Sequence, residues 1–413
     1  MRRAELHVSG ALSNVRVLDL SRILAGPWAT QILADLGAEV IKVERPGVGD
    51  DTRAWGPPYQ KDESGRDTSE SAYFLSANRN KKSVTLDIAS PRGQELLRDL
   101  AVRSDVLVEN FKVGGLRQYG LDYETLRGSA PRLVYCSITG FGQTGPYAQR
   151  GGYDFLVQGV GGLMSITGRP DGEAGAGPVK TGVAVTDILT GLYATIAILA
   201  ALAARERTGA GQHIDIALLD VQVACLANQA LNYLTTGRVP GRLGNGHPNV
   251  VPYQDFPTAD GNMILAIGND AQFAAFCAAG GQPQLASDER FRSNAARVVN
   301  RAALLPLLRQ ITVQRPTCAW IEMLERCGVP CGPINDLGAV FADAQVLARQ
   351  LRLDLPHSFG RAPGIASPVR LSSTPVAYRS APPTLGQHTR EVLQELLALA
   401  DADIAALRAQ RCI

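Results

Sequence analysis

Between residues 15 and 138, short apolar runs alternate with segments of helical spacing, and this alternation restricts the fold more than any other feature. Residues 15–20 read as a strand, 27–36 as a helix and 39–43 as a second strand, which together make a βαβ unit. Residues 83–87, 106–109 and 133–138 continue as strands, and Ser90-Pro91 supplies a cap and first-turn pair for the helix between them. Strands joined by such crossovers pair in parallel and need helices on both faces. The expected fold class is therefore α/β, with a Rossmann-like parallel sheet in a large domain.

Further along, ten glycines fall within residues 151–182, a density that reads as loops where backbone approaches a ligand. Residues 188–204 carry no charge over 17 positions, slightly fewer than the ~20 that cross a bilayer. Asp187 precedes them and Arg205, Glu206 and Arg207 follow, so they read as a buried helix. Residues 212–219 read as a strand running into helix as far as 233, and residues 235–252 as a turn-rich connector. A strand over 263–267 and helices over 270–279, 301–311 and 318–326 predict a smaller α/β domain. Six prolines within residues 355–383 predict an extended crossing segment, and residues 390–411 read as helix. The expected organisation is a large domain over 1–235, a small one over 240–340, and a segment over 345–413 that completes the large one.

Forty-one basic against 39 acidic residues make no single-sign field, so nucleic acid and anionic membranes are not expected partners. Seven scattered cysteines suggest a reducing compartment; Cys327-Gly328-Val329-Pro330-Cys331 has one intervening residue too many for a redox pair, and no second Cys or His pair follows at zinc spacing, so no metal is expected. The first residues lack the apolar run of a signal peptide, and cytoplasm is the expected location. Gly159-Val160-Gly161-Gly162-Leu163-Met164 has methionine where a dinucleotide fingerprint needs its third glycine, and no Gly-x-Ser-x-Gly elbow occurs.

Asp187, between the glycine-rich stretch and the uncharged helix, has two readings: an N-cap, or a carboxylate nucleophile stabilised by a helix N-terminus. Asn78-Arg79-Asn80-Lys81-Lys82-Ser83 is a solvated turn or an anion site, and Lys42-Val43-Glu44-Arg45 ends a strand at the edge where parallel sheets bind ligands. Gly241-Arg242-Leu243-Gly244-Asn245-Gly246-His247-Pro248 is a connector or a mobile lid.

Taken together, Val17-Leu18-Asp19-Leu20-Ser21-Arg22 with Ala25-Gly26-Pro27, Gly37-Ala38-Glu39-Val40-Ile41-Lys42-Val43-Glu44, Val108-Glu109-Asn110-Phe111, Gly152-Tyr153-Asp154 and Thr208-Gly209-Ala210-Gly211-Gln212 resemble the class III CoA-transferases, the formyl-CoA and carnitine CoA-transferase group. The resemblance runs from about residue 14 to about residue 410. Asp51-Thr52-Arg53 with Trp55-Gly56-Pro57-Pro58, and residues 78–83, are most similar to the succinyl-CoA:glutarate branch.

The resemblance implies an interlocked homodimer with Asp187 as the catalytic aspartate, lying before a helix start at Thr190. It places Ile23, Leu24, Ala25, Arg45, Leu86, Asn110 and Phe111 against coenzyme A, which is a substrate, with no permanently bound cofactor. Gly244, Asn245, Gly246 and His247 fall at the family's lid, and Gln118 stands where an arginine approaches the nucleotide in formyl-CoA transferase. The implied reaction moves CoA from an acyl-CoA, expected to be succinyl-CoA, to a dicarboxylate such as glutarate through an aspartyl-CoA thioester. Tyr153 is an expected oxyanion partner, and Arg53, Arg79 and His247 are candidates for the acceptor's second carboxylate. An α-methylacyl-CoA racemase would need histidine at Tyr153. Racemase-type isomerisation and non-catalytic acyl-CoA binding remain the alternatives.

Overall fold

In the computed structural model, which describes residues 10–413, six of the apolar runs form one sheet. The leading nine residues, where a signal segment was not expected, lie outside the described residues. The strands are β1 (Arg16–Asp19), β2 (Glu39–Glu44), β3 (Lys81–Thr85), β4 (Val106–Glu109), β5 (Val134–Thr139) and β6 (His213–Ala217). Their spatial order is β3-β2-β1-β4-β5-β6, with every pair parallel. Side chains alternate between the two faces, and both faces are buried. Leu18, Leu20, Ile41 and Val43 point to one side, against Leu96, Leu97 and Leu100 of the helix Pro91–Val102 and against Val392, Leu393 and Leu407 near the C-terminus. Val17, Val40, Val106 and Val108 point to the other, against Ala29 and Leu33 of helix α1 (Ala25–Asp35) and Ala194 and Ile198 of a long helix over Val185–Thr208. This is the expected doubly wound α/β architecture.

The chain winds outward from β1 through β2 to β3, then returns to the other side of β1 to lay down β4, β5 and β6. Loops leaving β1 and β4 therefore diverge at their carboxyl ends. That switch point opens the crevice where open parallel sheets bind ligands.

Two compact units result, one holding residues 10–161, 181–225 and 345–413, the other residues 162–180 and 226–344. Residues 162–180 and 226–235 thus group with the smaller unit, whereas the large domain was expected to run unbroken to 235. The smaller unit has its own core around Phe256, Met263, Leu265, Phe273, Phe276 and Trp320, beneath an antiparallel sheet of Tyr253–Pro257, Asn262–Ala266 and Cys331–Pro333. Two other elements differ from expectation. Within residues 355–383, expected to be an extended crossing segment, the chain pairs Arg352–His357 with Gly360–Ile365 as a hairpin; Pro356 and Pro363 are tolerated because its outer edges need no ladder donors. The glycine-rich stretch contains the helices Asp154–Val160 and Leu163–Ile166, the first of which carries side chains of the candidate site.

The long helix is only partly buried. Thr190, Gly191, Ala194, Ile198 and Ala201 face the core, while Leu192, Tyr193 and Ile196 are exposed. By length and composition it could cross a membrane, but its small-residue face packs on α1: a Cβ at Gly191 would lie 2.7 Å from the Ala25 carbonyl oxygen.

Candidate active site

Buried charges set the loop after β1. The Asp19 carboxylate accepts from the Ser21 amide at 3.0 Å, the Thr30 hydroxyl at 2.6 Å and the Lys81 ammonium at 3.1 Å. Lys42 Nζ donates to the Ser21 carbonyl and to Asp50 Oδ2, each at 2.8 Å, and Asp50 in turn accepts from the Ile23 amide at 3.3 Å. The chain is thereby bent until Ile23 adopts φ +72°, a left-handed conformation that a β-branched residue takes only under constraint. Asn110, just past β4, clasps the same loop: it accepts from the Arg22 amide at 2.9 Å and donates to the Arg22 carbonyl at 2.7 Å. Its neighbour Phe111 donates its amide to Glu109 Oε2 at 2.7 Å, and its ring lies 5.5 Å from the Arg22 guanidinium.

The clasped loops wall a cavity of about 460 Å³ lined by Ile23, Leu24, Ala25, Asn110, Phe111, Tyr153 and Asp187. A second cavity of about 330 Å³ contains Arg45 and Leu86. Arg22, Asp51, Ile88, Phe111 and Tyr119 line both, so the two are parts of one trench along the carboxyl edge of the sheet. Each part falls within the ~300–1,000 Å³ of ligand pockets. All seven residues that the resemblance assigns to coenzyme A therefore lie along one trench with Asp187 and Tyr153. Gln118 lines it too, beside Lys112.

Asp187 is neither an N-cap nor a residue ahead of its helix. The helix starts at Val185, earlier than the Thr190 start expected, and its N-cap is Ala184, which has no side-chain acceptor. The missing cap comes from another helix: Asp154 Oδ1 accepts from the Thr186 amide at 2.8 Å and the Asp187 amide at 3.4 Å. Burial first, and the Asp154 charge second, push the Asp187 carboxyl up to about 7. Tyr153, at the N-cap of the Asp154–Val160 helix, is 67% exposed. It is brought to the cavity by a glycine contact, since a Cβ on Gly152 would meet the Gly140 Cα at 2.3 Å.

A pH dependence follows from the position of Asp187. A carboxylate nucleophile must be ionised, so kcat/KM of a reaction that uses Asp187 in this way should fall about tenfold per pH unit below about pH 7 rather than below the ordinary aspartate value of 3.8. Initial rates between pH 5 and 9 check this, and a flat profile down to pH 5 would count against Asp187 as the nucleophile. Stability has the opposite sign. A raised folded-state value means the unfolded chain releases this proton first, so the contribution of Asp187 to stability declines as pH rises from about 4 to about 7.

The two arginines expected at the acceptor do not line the trench. Arg53 donates to both Glu44 oxygens at 2.8 Å and to Glu70 at 3.1 Å, and Arg79 grips Asp35 at 3.0 and 2.5 Å. Both are buried, and these ion pairs take up their charge. The cations that do line the cavity are Arg22, Lys112 and Arg150, none of which was singled out as an acceptor group from sequence. Residues 244–248 belong to the smaller unit, as a bonded turn rather than a free strap. Gly244 and Gly246 donate amides to the Gly168 and Leu243 carbonyls, Asn245 donates to Asp255, and Arg301 donates to the His247 and Pro248 carbonyls. Asp154 also went unassigned in the sequence, because no local spacing links residue 154 to the amides of 186 and 187.

Comparison with known proteins agrees with this geometry. Residues 12–389 match the family model described as CoA-transferase family III. A succinate–glutarate CoA-transferase of Agrobacterium fabrum is 52% identical over 93% of this chain and 95% of its own length. A human succinyl-CoA:glutarate CoA-transferase is 46% identical over 96% of this chain and 88% of its own. Among solved structures, a CAIB/BAIF family protein from Brucella suis superposes with a TM-score of 0.82 at 50% identity, covering 94% of this chain and all of that one.

Proposed function

The chain belongs to CoA-transferase family III, and from that premise we propose that it moves CoA from succinyl-CoA to glutarate or a closely related dicarboxylate, with Asp187 as the covalent relay. One observation carries the assignment of Asp187: it is the carboxylate that lines the trench beside Tyr153 with its ionisation pushed up to about 7, which makes it more basic than an ordinary aspartate. Its oxygen attacks the donor thioester carbonyl and expels CoA thiolate, leaving an aspartyl–succinyl anhydride. The thiolate returns to the aspartyl carbon, which releases succinate and forms the aspartyl-CoA thioester. The acceptor carboxylate attacks that thioester, thiolate leaves again, and its attack on the acceptor's acyl carbon regenerates Asp187. One thioester replaces another, so no ATP is required. The Tyr153 hydroxyl is the proposed donor to the tetrahedral oxyanion.

With Arg53 and Arg79 engaged elsewhere, the acceptor's second carboxylate is assigned to the trench cations, Arg150 first. Arg150 stacks over Tyr147 at 4.5 Å and Phe141 at 5.2 Å, whereas Arg22 is paired with Asp51 at 3.1 Å. Arg150→Met is expected to raise KM for glutarate about tenfold while hardly changing KM for monocarboxylate acceptors. Equal losses for both classes would assign Arg150 to coenzyme A instead. The reading is tested by incubating the protein with succinyl-CoA and a dicarboxylate panel in deuterated buffer. New CoA esters without α-deuterium support it; deuterium uptake without exchange would make the protein an isomerase, and neither change would make it a binder.

A cytoplasmic homodimer completes the proposal. Exposed Tyr193 and Ile196 on the long helix, with Phe155 and Leu156 on the helix Asp154–Val160 that packs against it, offer the apolar surface a partner copy would cover.

A further inference from the structure

Asp154 is bonded to the turn that bears Asp187, and the reaction above does not use it. Its Oδ1 holds two amides of the first turn of the long helix, and its Oδ2 accepts from Gln158 Nε2 at 2.7 Å. Gln158, fully buried, uses its own Oε1 to accept from the Thr181 amide at 3.0 Å. Thr186 is fixed from a second direction, its hydroxyl donating to the buried Gln222 Oε1 at 2.7 Å. The helix that carries Asp187 therefore has no cap in its own chain segment and is capped through space by a residue adjacent to Tyr153.

We propose that Asp154 is the positioning residue of the transfer reaction: it couples the turn bearing Asp187 to the loop bearing Tyr153, so that nucleophile and oxyanion donor are held in one geometry. This rests on the reading of Asp187 as the nucleophile. The coupling has a geometric reason. An N-cap supplied in sequence would fix Asp187 to its own helix only, whereas a cap from residue 154 makes the Tyr153 position and the Asp187 position mutually dependent. It has an electrostatic consequence too. A carboxylate at the helix N-terminus is stabilised by the exposed amides, and its charge opposes ionisation of the second carboxylate one turn in. The other ionisable groups around Asp187 are few. Tyr73, whose phenol is pushed up to about 12 by burial and then by Asp187, Asp154 and Asp50, stays neutral. Tyr153, Arg22, Asp51, Lys112 and Arg150 share its cavity.

Asp154→Ala and Asp154→Asn in the full-length protein separate these roles, because asparagine keeps an acceptor for both amides and removes the charge, losing besides it only the bond from Gln158 Nε2. In the alanine variant, hydrogen exchange of the Thr186 and Asp187 amides should rise about tenfold while residues 192–205 stay protected. Its kcat should fall about a hundredfold with KM for succinyl-CoA changed less than about threefold. The asparagine variant should retain most of kcat and show its acid limb at lower pH than wild type. Unchanged amide protection in Asp154→Ala, or exposed amides with undiminished kcat, would overturn the proposal, and an unshifted acid limb in Asp154→Asn would overturn its electrostatic part. If Asp187→Asn kept full activity, the nucleophile assignment would fail separately. The exchange experiment would then still decide whether Asp154 holds the turn.

Discussion

Asp187→Asn should lose CoA transfer by about 10⁴-fold or more, the scale expected when the group that forms the covalent intermediate is removed. The amide keeps the volume and the hydrogen-bonding reach of the carboxylate but cannot form the anhydride, so affinity for succinyl-CoA should be nearly unchanged. Stability should not fall with activity. Asp187 is held half-buried with its ionisation opposed by burial and by Asp154, so the charged form is a burden on the native state above about pH 7. Urea midpoints should therefore favour the variant more at pH 8 than at pH 5. Wild-type protein mixed with succinyl-CoA and no acceptor should carry a CoA adduct on the peptide containing Asp187, removable by hydroxylamine and absent from the variant. Substantial turnover by the asparagine variant, or an unmodified peptide under conditions of rapid exchange, would sink the covalent route.

How much of this was legible in the chain differs between elements for physical reasons. Helix and strand periodicity is local, so β1 to β5 and α1 were all foreseen to within a residue or two, and the Ser90 cap appears as expected, its hydroxyl accepting from the Gly93 amide at 3.0 Å. The parallel order followed from the same alternation. Apart from Arg45, the trench residues came from resemblance and could not have come from spacing, because Ile23, Leu86 and Asn110 come to one trench only when the four strands β3-β2-β1-β4 are laid side by side. Asp154 was visible inside the Gly152-Tyr153-Asp154 motif, yet its role depends on a contact across 32 residues of glycine-rich chain. The long helix was read as buried because apolar runs do not reveal which face a partner would cover; Ile196 is 61% exposed. Arg53 and Arg79 were misplaced for a related reason. An arginine beside acidic neighbours reads as a surface pair or a ligand contact, and nothing in the linear order brings Glu44 and Glu70 to Arg53.

That misplacement changes what substitution should do. Arg53→Met should not selectively weaken glutarate recognition; it should destabilise the fold by about 3–5 kcal/mol, the cost of removing one partner from a buried ion pair. Arg53 bridges Glu44 and Glu70, donates to the Pro383 carbonyl at 3.1 Å and stacks 3.7 Å from the centre of the Phe74 ring, so one side chain ties β2, the Asp67–Ser71 strand and the C-terminal segment together. Without it both carboxylates stay buried. Glu44 keeps the Ser83 hydroxyl at 2.7 Å, the Asp50 amide at 2.9 Å and the nearby Lys42 charge as compensation. The sign of the pH effect distinguishes this account from loss of packing. Burial works to raise the Glu44 carboxyl, but the Arg53 hydrogen bonds and charge outweigh it and hold it below the usual 4.5, so its stabilising contribution is present above that value and lost as pH falls through the lower folded-state one. The variant's deficit should therefore be largest above about pH 5 and shrink in acid, where Glu44 is protonated in both proteins. Urea denaturation of wild type, Arg53→Met and Arg53→Lys at pH 4 and pH 7 measures it, with lysine expected between the two because it keeps the charge and loses the fork. A deficit that does not change with pH would assign the loss to the Phe74 stack, and a variant of wild-type stability with a raised KM for dicarboxylates alone would return Arg53 to the acceptor site.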